Sequence, residues 1–125
     1  VVVCAGKVYY DLLEAATEQK LENVALVRIE QLYPFPREAL RAELARFPNA
    51  KDVFWCQEEP QNQGAWYQIQ HHLRSSIPET SILHYTGRAR SAAPACGHAN
   101  THAIEQNQLI ADALTNPGKR DFTHE

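Results

Sequence analysis

The 125-residue sequence has no methionine, three cysteines, five glycines and no long apolar run. Each shortage excludes something. Cys4, Cys56 and Cys96 are odd in number and widely spaced, which argues against a disulfide framework; two of them lie in apolar, strand-like runs and read as buried free thiols of a reducing compartment. No stretch approaches the roughly 20 apolar residues that cross a bilayer. The first residues also lack the basic-then-apolar layout of a signal peptide, so a soluble chain is expected. A formal net charge of −3 with interspersed signs leaves no basic face for nucleic acid and no acidic tail. The glycines are not spaced as in a phosphate-binding loop or a dinucleotide turn. With no methionine and a start directly on Val1-Val2-Val3-Cys4, the sequence is expected to be a segment of something longer.

What is present is a repeating strand–helix pattern. At 44% hydrophobic, the chain is sized for one domain with one core, expected over residues 1–116 with a polar tail over 117–125. Val1 to Cys4 reads as a strand, followed by a helix with apolar Val8, Leu12, Leu13, Ala15 and Ala16. Val24 to Glu30 is a second strand with few interior charges, as in a sheet covered on both faces. Tyr33-Pro34-Phe35-Pro36 makes a stiff turn into a helix with Leu40, Leu44 and Phe47 on one face. Asp52 to Gln57 is a third strand, stopped by Glu58-Glu59-Pro60, and a helix from Gly64 to Ser76 follows. Its stripe Trp66, Ile69, Leu73 and Ile77 makes Trp66 a core anchor. Trp55, on the strand, is expected to face the opposite helical layer or a partner domain.

Ile82 to Thr86 is a weaker strand, suited to an edge. The small-residue run Gly87 to His98 reads as an ordered loop. Thr101 is then expected to cap a last helix with Ile104, Leu109, Ile110, Ala113 and Leu114. Strand alternating with helix four times predicts a three-layer α/β fold: a mostly parallel sheet, helices on both faces and right-handed crossovers.

In such a sheet the loop leaving the carboxyl end of a strand is where functional polar groups gather. After the third strand that loop holds Glu58, Glu59, Gln61, Asn62 and Gln63, which fit either a contact surface or a polar connector that caps the next helix. Arg28, Arg88 and Arg90 offer anion contacts, or partners for Glu30, Glu58 and Glu59. Cys96, His98 and His102 have no evident fourth ligand, so no metal is expected. His71 and His72, adjacent on a helix, read as packing or surface residues. No nucleophile sits in a recognisable elbow, and the residues alone predict no self-contained active site.

Three blocks carry a resemblance. Ala5-Gly6-Lys7-Val8-Tyr9-Tyr10-Asp11-Leu12-Leu13, Val27-Arg28-Ile29-Glu30-Gln31-Leu32-Tyr33-Pro34-Phe35-Pro36, and Trp55-Cys56-Gln57-Glu58-Glu59-Pro60 through Asn62-Gln63-Gly64-Ala65-Trp66-Tyr67 closely resemble the carboxyl-terminal domain of the E1 component of 2-oxoglutarate dehydrogenase. The likeness runs from residue 1 to about residue 115. It implies a transketolase-type C-terminal domain with a parallel-rich sheet of about five strands, one of them an antiparallel edge. It further implies an E1 homodimer working with E2 dihydrolipoyl succinyltransferase and E3 in the bacterial cytoplasm or mitochondrial matrix. Thiamine diphosphate and Mg²⁺ would lie between the other two domains, with this segment packing on the pyrimidine-binding domain and binding neither. No glycine here precedes an Asp, so the family's Gly-Asp-Gly motif is absent.

The family loop Gly-Arg-Pro-Ala-Ser-Ala-Ser-Pro-Ala-Thr-Gly-Tyr is matched at Gly87, Arg88, Ser91, Ala92, Pro94, Ala95 and Gly97. It is not matched at Ala89, Arg90, Ala93, Cys96 or His98, so no role passes to Arg90 or His98, whereas His102 keeps the family's later histidine. The resemblance leaves Arg28, Arg88, Glu58, Glu59 and His102 as interface or effector residues, with two readings open: a structural and assembly domain, or a regulatory module for acetyl-CoA or a nucleotide.

Overall fold

A computed structural model describes residues 1–88 and 99–114, with side chains from residue 104 onward in the second stretch. Four strands alternate with four helices: β1 (Val2–Cys4), α1 (Val8–Glu18), β2 (Leu26–Arg28), α2 (Arg37–Leu44), β3 (Asp52–Pro60), α3 (Trp66–Ser76), β4 (Ile82–Arg88) and α4 (Ala99–Leu114). The strands lie in the order β2-β1-β3-β4 and every neighbouring pair is parallel. This is the expected three-layer α/β fold. A fifth, antiparallel strand is not among the described residues.

Side-chain alternation along the strands assigns the two helical layers. Val3, Val53, Trp55, Leu83 and Tyr85 point to one face and pack with Leu40 and Leu44 of α2 and Trp66, Ile69 and Leu73 of α3. Val2, Cys4, Phe54 and Cys56 point to the other, against Val8 and Leu12 of α1 and Leu109, Ile110, Ala113 and Leu114 of α4. β1 and β3 are covered on both sides, which is why their sequences are continuous apolar runs rather than alternating ones. Trp66 is the anchor expected of it, 5% exposed and with its ring 5.3 Å from that of Tyr85.

Several expectations need correction. Trp55 does not face the opposite layer: it shares the α2/α3 core with Trp66, because odd-numbered residues of β3 point to the face on which α3 returns. Glu58-Glu59-Pro60 does not end the third strand. Pairing passes from Cys56–Thr86 to Pro60–Arg88 with a register shift between, so four steps of β3 oppose two of β4. A bulge of this kind accepts a proline that a regular ladder would reject. β2 is three residues long, at the sheet edge, and exposed at Arg28. α2 closes at Leu44, leaving Phe47 in the following turn, and α3 starts at Trp66. Leu13 and Ile104 are exposed because each sits well around its helix from the stripe that meets the sheet. α4 begins at Ala99, so Thr101 is inside it. The expected loop from residue 89 to 98, the stop at Asn116-Pro117-Gly118 and the polar tail lie outside the described residues.

Cys4 and Cys56 are free, buried and opposite each other in the β1–β3 register. Burial pushes the Cys4 thiol up to about 12, with Arg28 opposing slightly, and burial drives Cys56 still further from ionisation. A thiol whose folded pKa exceeds its ordinary value near 9.0 stabilises the fold below that pH and loses the contribution as pH climbs towards about 12. Unfolding free energy measured in urea should therefore fall on raising pH above 9.0, and Cys4→Ala should make that fall shallower. By the same assay near neutral pH, Trp66→Ala should lose about 3–5 kcal/mol.

Candidate functional site

The strand order reverses direction between β1 and β3, so the crevice at their carboxyl ends is where an open sheet of this kind receives ligands. Here that crevice is crossed by side chains. Lys7, in the turn between β1 and α1, reaches Glu58 of β3 at 2.8 Å and Asp11 of α1 at 3.1 Å. Gln106 of α4 donates from Nε2 to the same two carboxylates, Asp11 Oδ2 at 3.0 Å and Glu58 Oε1 at 3.0 Å. Its Oε1 accepts from Arg88 Nη2 at 2.9 Å. Arg88, at the end of β4, also pairs through Nε with Glu105 at 3.1 Å and donates through Nη1 to the Glu58 carbonyl.

Two cations thus face three carboxylates, with one carboxamide oriented by both signs of charge. The hydrogen bond to Glu58 is the main reason the Lys7 pKa is raised; burial opposes it, and Asp11 adds to it. Lys7 is therefore a fixed cation and not a base. Much of its side chain is exposed, so its pairs are weak ones. Arg88 is different: its side chain is 10% exposed and its polar partners come from two elements, β3 and α4. The network binds the β1–α1 turn, the ends of β3 and β4, and α4 into one unit. Its chemistry is cohesion, since no nucleophile or free base stands in it.

A second cluster forms just behind. The β3 bulge turns Gln57 inward, where it is 3% exposed. Its Oε1 accepts from the Trp55 indole Nε1 at 2.8 Å and from the Trp66 backbone N–H at 3.1 Å, capping α3. Its Nε2 donates to the carbonyls of Glu59 at 3.0 Å and Pro60 at 2.9 Å. Gly64 is required by this arrangement, since a Cβ there would lie 2.6 Å from Gln57 Nε2. The carboxamide that caps α3 is thus Gln57, which the sequence places at the end of the third strand and not in the loop.

Of the sequence candidates, Arg88 and Glu58 come together in the network. Glu59 is exposed and contributes a backbone carbonyl. Arg28 stands apart at β2, 3.9 Å from Glu30 and 5.3 Å over the Tyr10 ring. His102 is on α4, but its side chain, like Arg90, Cys96 and His98, lies outside the described residues. Lys7, Asp11, Glu105, Gln106 and Gln57 were not singled out. Lys7 and Asp11, four apart immediately after a strand, were the available signal; nothing near Gln106 announces its distant partners.

Fold and edge define a class: a doubly wound parallel α/β module whose ligand-type crevice is braced by its own side chains. Comparison with known proteins makes this particular. Residues 1–114 match the family model for the 2-oxoglutarate dehydrogenase C-terminal domain, and the chain belongs to that family. The 2-oxoglutarate dehydrogenase E1 component of Azotobacter vinelandii is 55% identical over 117 residues, covering 91% of this chain and 12% of that protein. Those of Haemophilus influenzae and Coxiella burnetii are each 51% identical, covering 92% and 91% of this chain and 12% of theirs. The chain therefore spans about one eighth of the length of these relatives.

The Gln57 geometry carries its own test. Gln57→Leu keeps the volume but strands two buried donors, the Trp55 indole N–H and the Trp66 amide. It should lower unfolding free energy by about 3 kcal/mol and shift tryptophan fluorescence, both measured in a urea titration.

Proposed function

We propose that this chain is the C-terminal structural and assembly domain of an E1 subunit that decarboxylates 2-oxoglutarate and passes the succinyl group to a lipoyl group on E2. The observation that carries the reading is the family match over residues 1–114 together with 55% identity to a protein named as that E1 component. The carboxyl-edge brace supports it, because a crevice tied shut by Lys7, Glu58, Gln106 and Arg88 suits a load-bearing module.

The full enzyme would use thiamine diphosphate and Mg²⁺, which supply carbanion chemistry at the keto carbon. The described residues do not fit that group: Asp11, Glu58 and Glu105, the carboxylates that converge on the crevice, are each engaged by Lys7, Arg88 or Gln106. We assign the cofactor to domains outside these 125 residues. The E1 homodimer, E2 and E3 are the partners this role requires. Among the described residues no helix is long and apolar enough to cross a membrane, in keeping with a bacterial cytoplasmic or mitochondrial matrix setting. The acetyl-CoA or nucleotide module is not supported: Arg88 is committed to Glu105, Gln106 and Glu58, and Arg28 is remote from it in the sheet order.

Full-length protein supplied with thiamine diphosphate, Mg²⁺ and 2-oxoglutarate should release CO₂ and reduce an artificial electron acceptor, while the 125 residues alone should do neither. Turnover by the 125 residues, or none by the full-length protein, would count against this assignment.

A further inference from the structure

A groove of about 710 Å³ lies on the α2/α3 side, between the loop leaving β2 and the first turns of α3. Leu32, Phe35 and Ile69 give it apolar walls, and Tyr33, 89% exposed, stands at its rim. His72 stacks on Phe35 at 5.1 Å and 11°. Arg37 lies 2.6 Å from it, Nη2 to Nδ1; because a guanidinium only donates, Nδ1 accepts and the proton of the neutral ring is on Nε2. This cation is unusual in the molecule. Among the described residues, Arg37 and Arg88 are the arginines withdrawn from solvent. Arg88 has Glu105 at 3.1 Å, whereas Arg37 has no carboxylate within ion-pair distance among the described residues, and its Nε is buried without a hydrogen bond.

A half-buried cation against apolar walls calls for an anion joined to an apolar group. We infer that the groove is a docking site for a segment of the same E1 polypeptide, outside these 125 residues, that presents a carboxylate to Arg37 and an apolar side chain to Phe35 and Ile69. Charge complementarity defines the chemistry of the occupant. Its source follows from length: the chain corresponds to 12% of its relatives, so most of the surface that could meet the groove is on the same polypeptide. Tethering also raises the effective concentration of such a segment, so a small and partly polar contact suffices. The inference rests on the E1 reading and refines it by naming the face and the chemistry.

The test uses the full-length subunit, with 2-oxoglutarate turnover recorded separately so that failure of the E1 reading is seen on its own. A benzophenone amino acid at position 33 is irradiated and the products mapped by mass spectrometry. Cross-links within one polypeptide, to a peptide containing Asp or Glu, are expected. Their yield should fall roughly tenfold in Arg37→Met. Yield should recover when Arg37→Glu is combined with a lysine at the acidic position found, a rescue that also excludes misfolding as the cause. Products at twice the subunit mass would make a second copy the occupant and overturn the inference. So would a yield no higher than with the probe at exposed Glu79, or one that Arg37→Met leaves unchanged.

Discussion

One carboxamide, that of Gln57, organises the middle of this domain. It makes four hydrogen bonds with both ends of its dipole: an indole and a helix amide on the oxygen, two carbonyls on the nitrogen. Without it the Trp55 indole N–H and the Trp66 amide would be buried donors lacking an acceptor, at a cost of about 1–3 kcal/mol each. Because Oε1 receives both the Trp55 ring and the amide of Trp66, the amide joins the sheet to the start of α3 inside the core where both rings pack. The bulge that admits Gln57, the glycine that makes room for it and the helix that it caps are therefore parts of one device.

The same bulge sets the next layer out. It carries Glu58 past the regular end of pairing to a place where Lys7 and Gln106 reach its carboxylate and Arg88 its carbonyl. A doubly wound sheet splits open where strand order reverses, and other proteins use that opening for ligands. This one fills it with a mutually satisfied charge network. Such a network adds little net stability where it is exposed, as at Lys7, and fixes geometry where it is buried, as at Arg88.

The fold was legible in the sequence because its signals are local. Runs such as Val53-Phe54-Trp55-Cys56 and stripes such as Trp66, Ile69 and Leu73 report burial directly, and the strand–helix alternation then leaves little topological freedom. The resemblance blocks led to the family that the comparisons show. What escaped was set by distance and by backbone irregularity. A bulge inverts the expected sense of Glu58-Glu59-Pro60, and Gln106 meets Asp11 from 95 positions away. Arg37 was not among the candidate arginines, because an absent partner leaves no mark on a sequence. Trp55 was misassigned since strand alternation gives relative but not absolute facing; the return of α3 to that face decides it.

The position of β1 bears on how the domain comes into being. Only three residues long and first in the chain, it lies between β2 and β3, so Val2 has Leu26 on one side and Phe54 on the other. No hairpin can nucleate such a sheet, since each parallel neighbour arrives only after a helical crossover. β1 gains its second neighbour only after residues 54–56 have been made, so its place in the sheet depends on contacts of long sequence separation. Separating this domain from the rest of a subunit is correspondingly unforgiving at its leading end: a cut placed four residues late would remove an interior strand and leave β2 with no neighbour among the described strands.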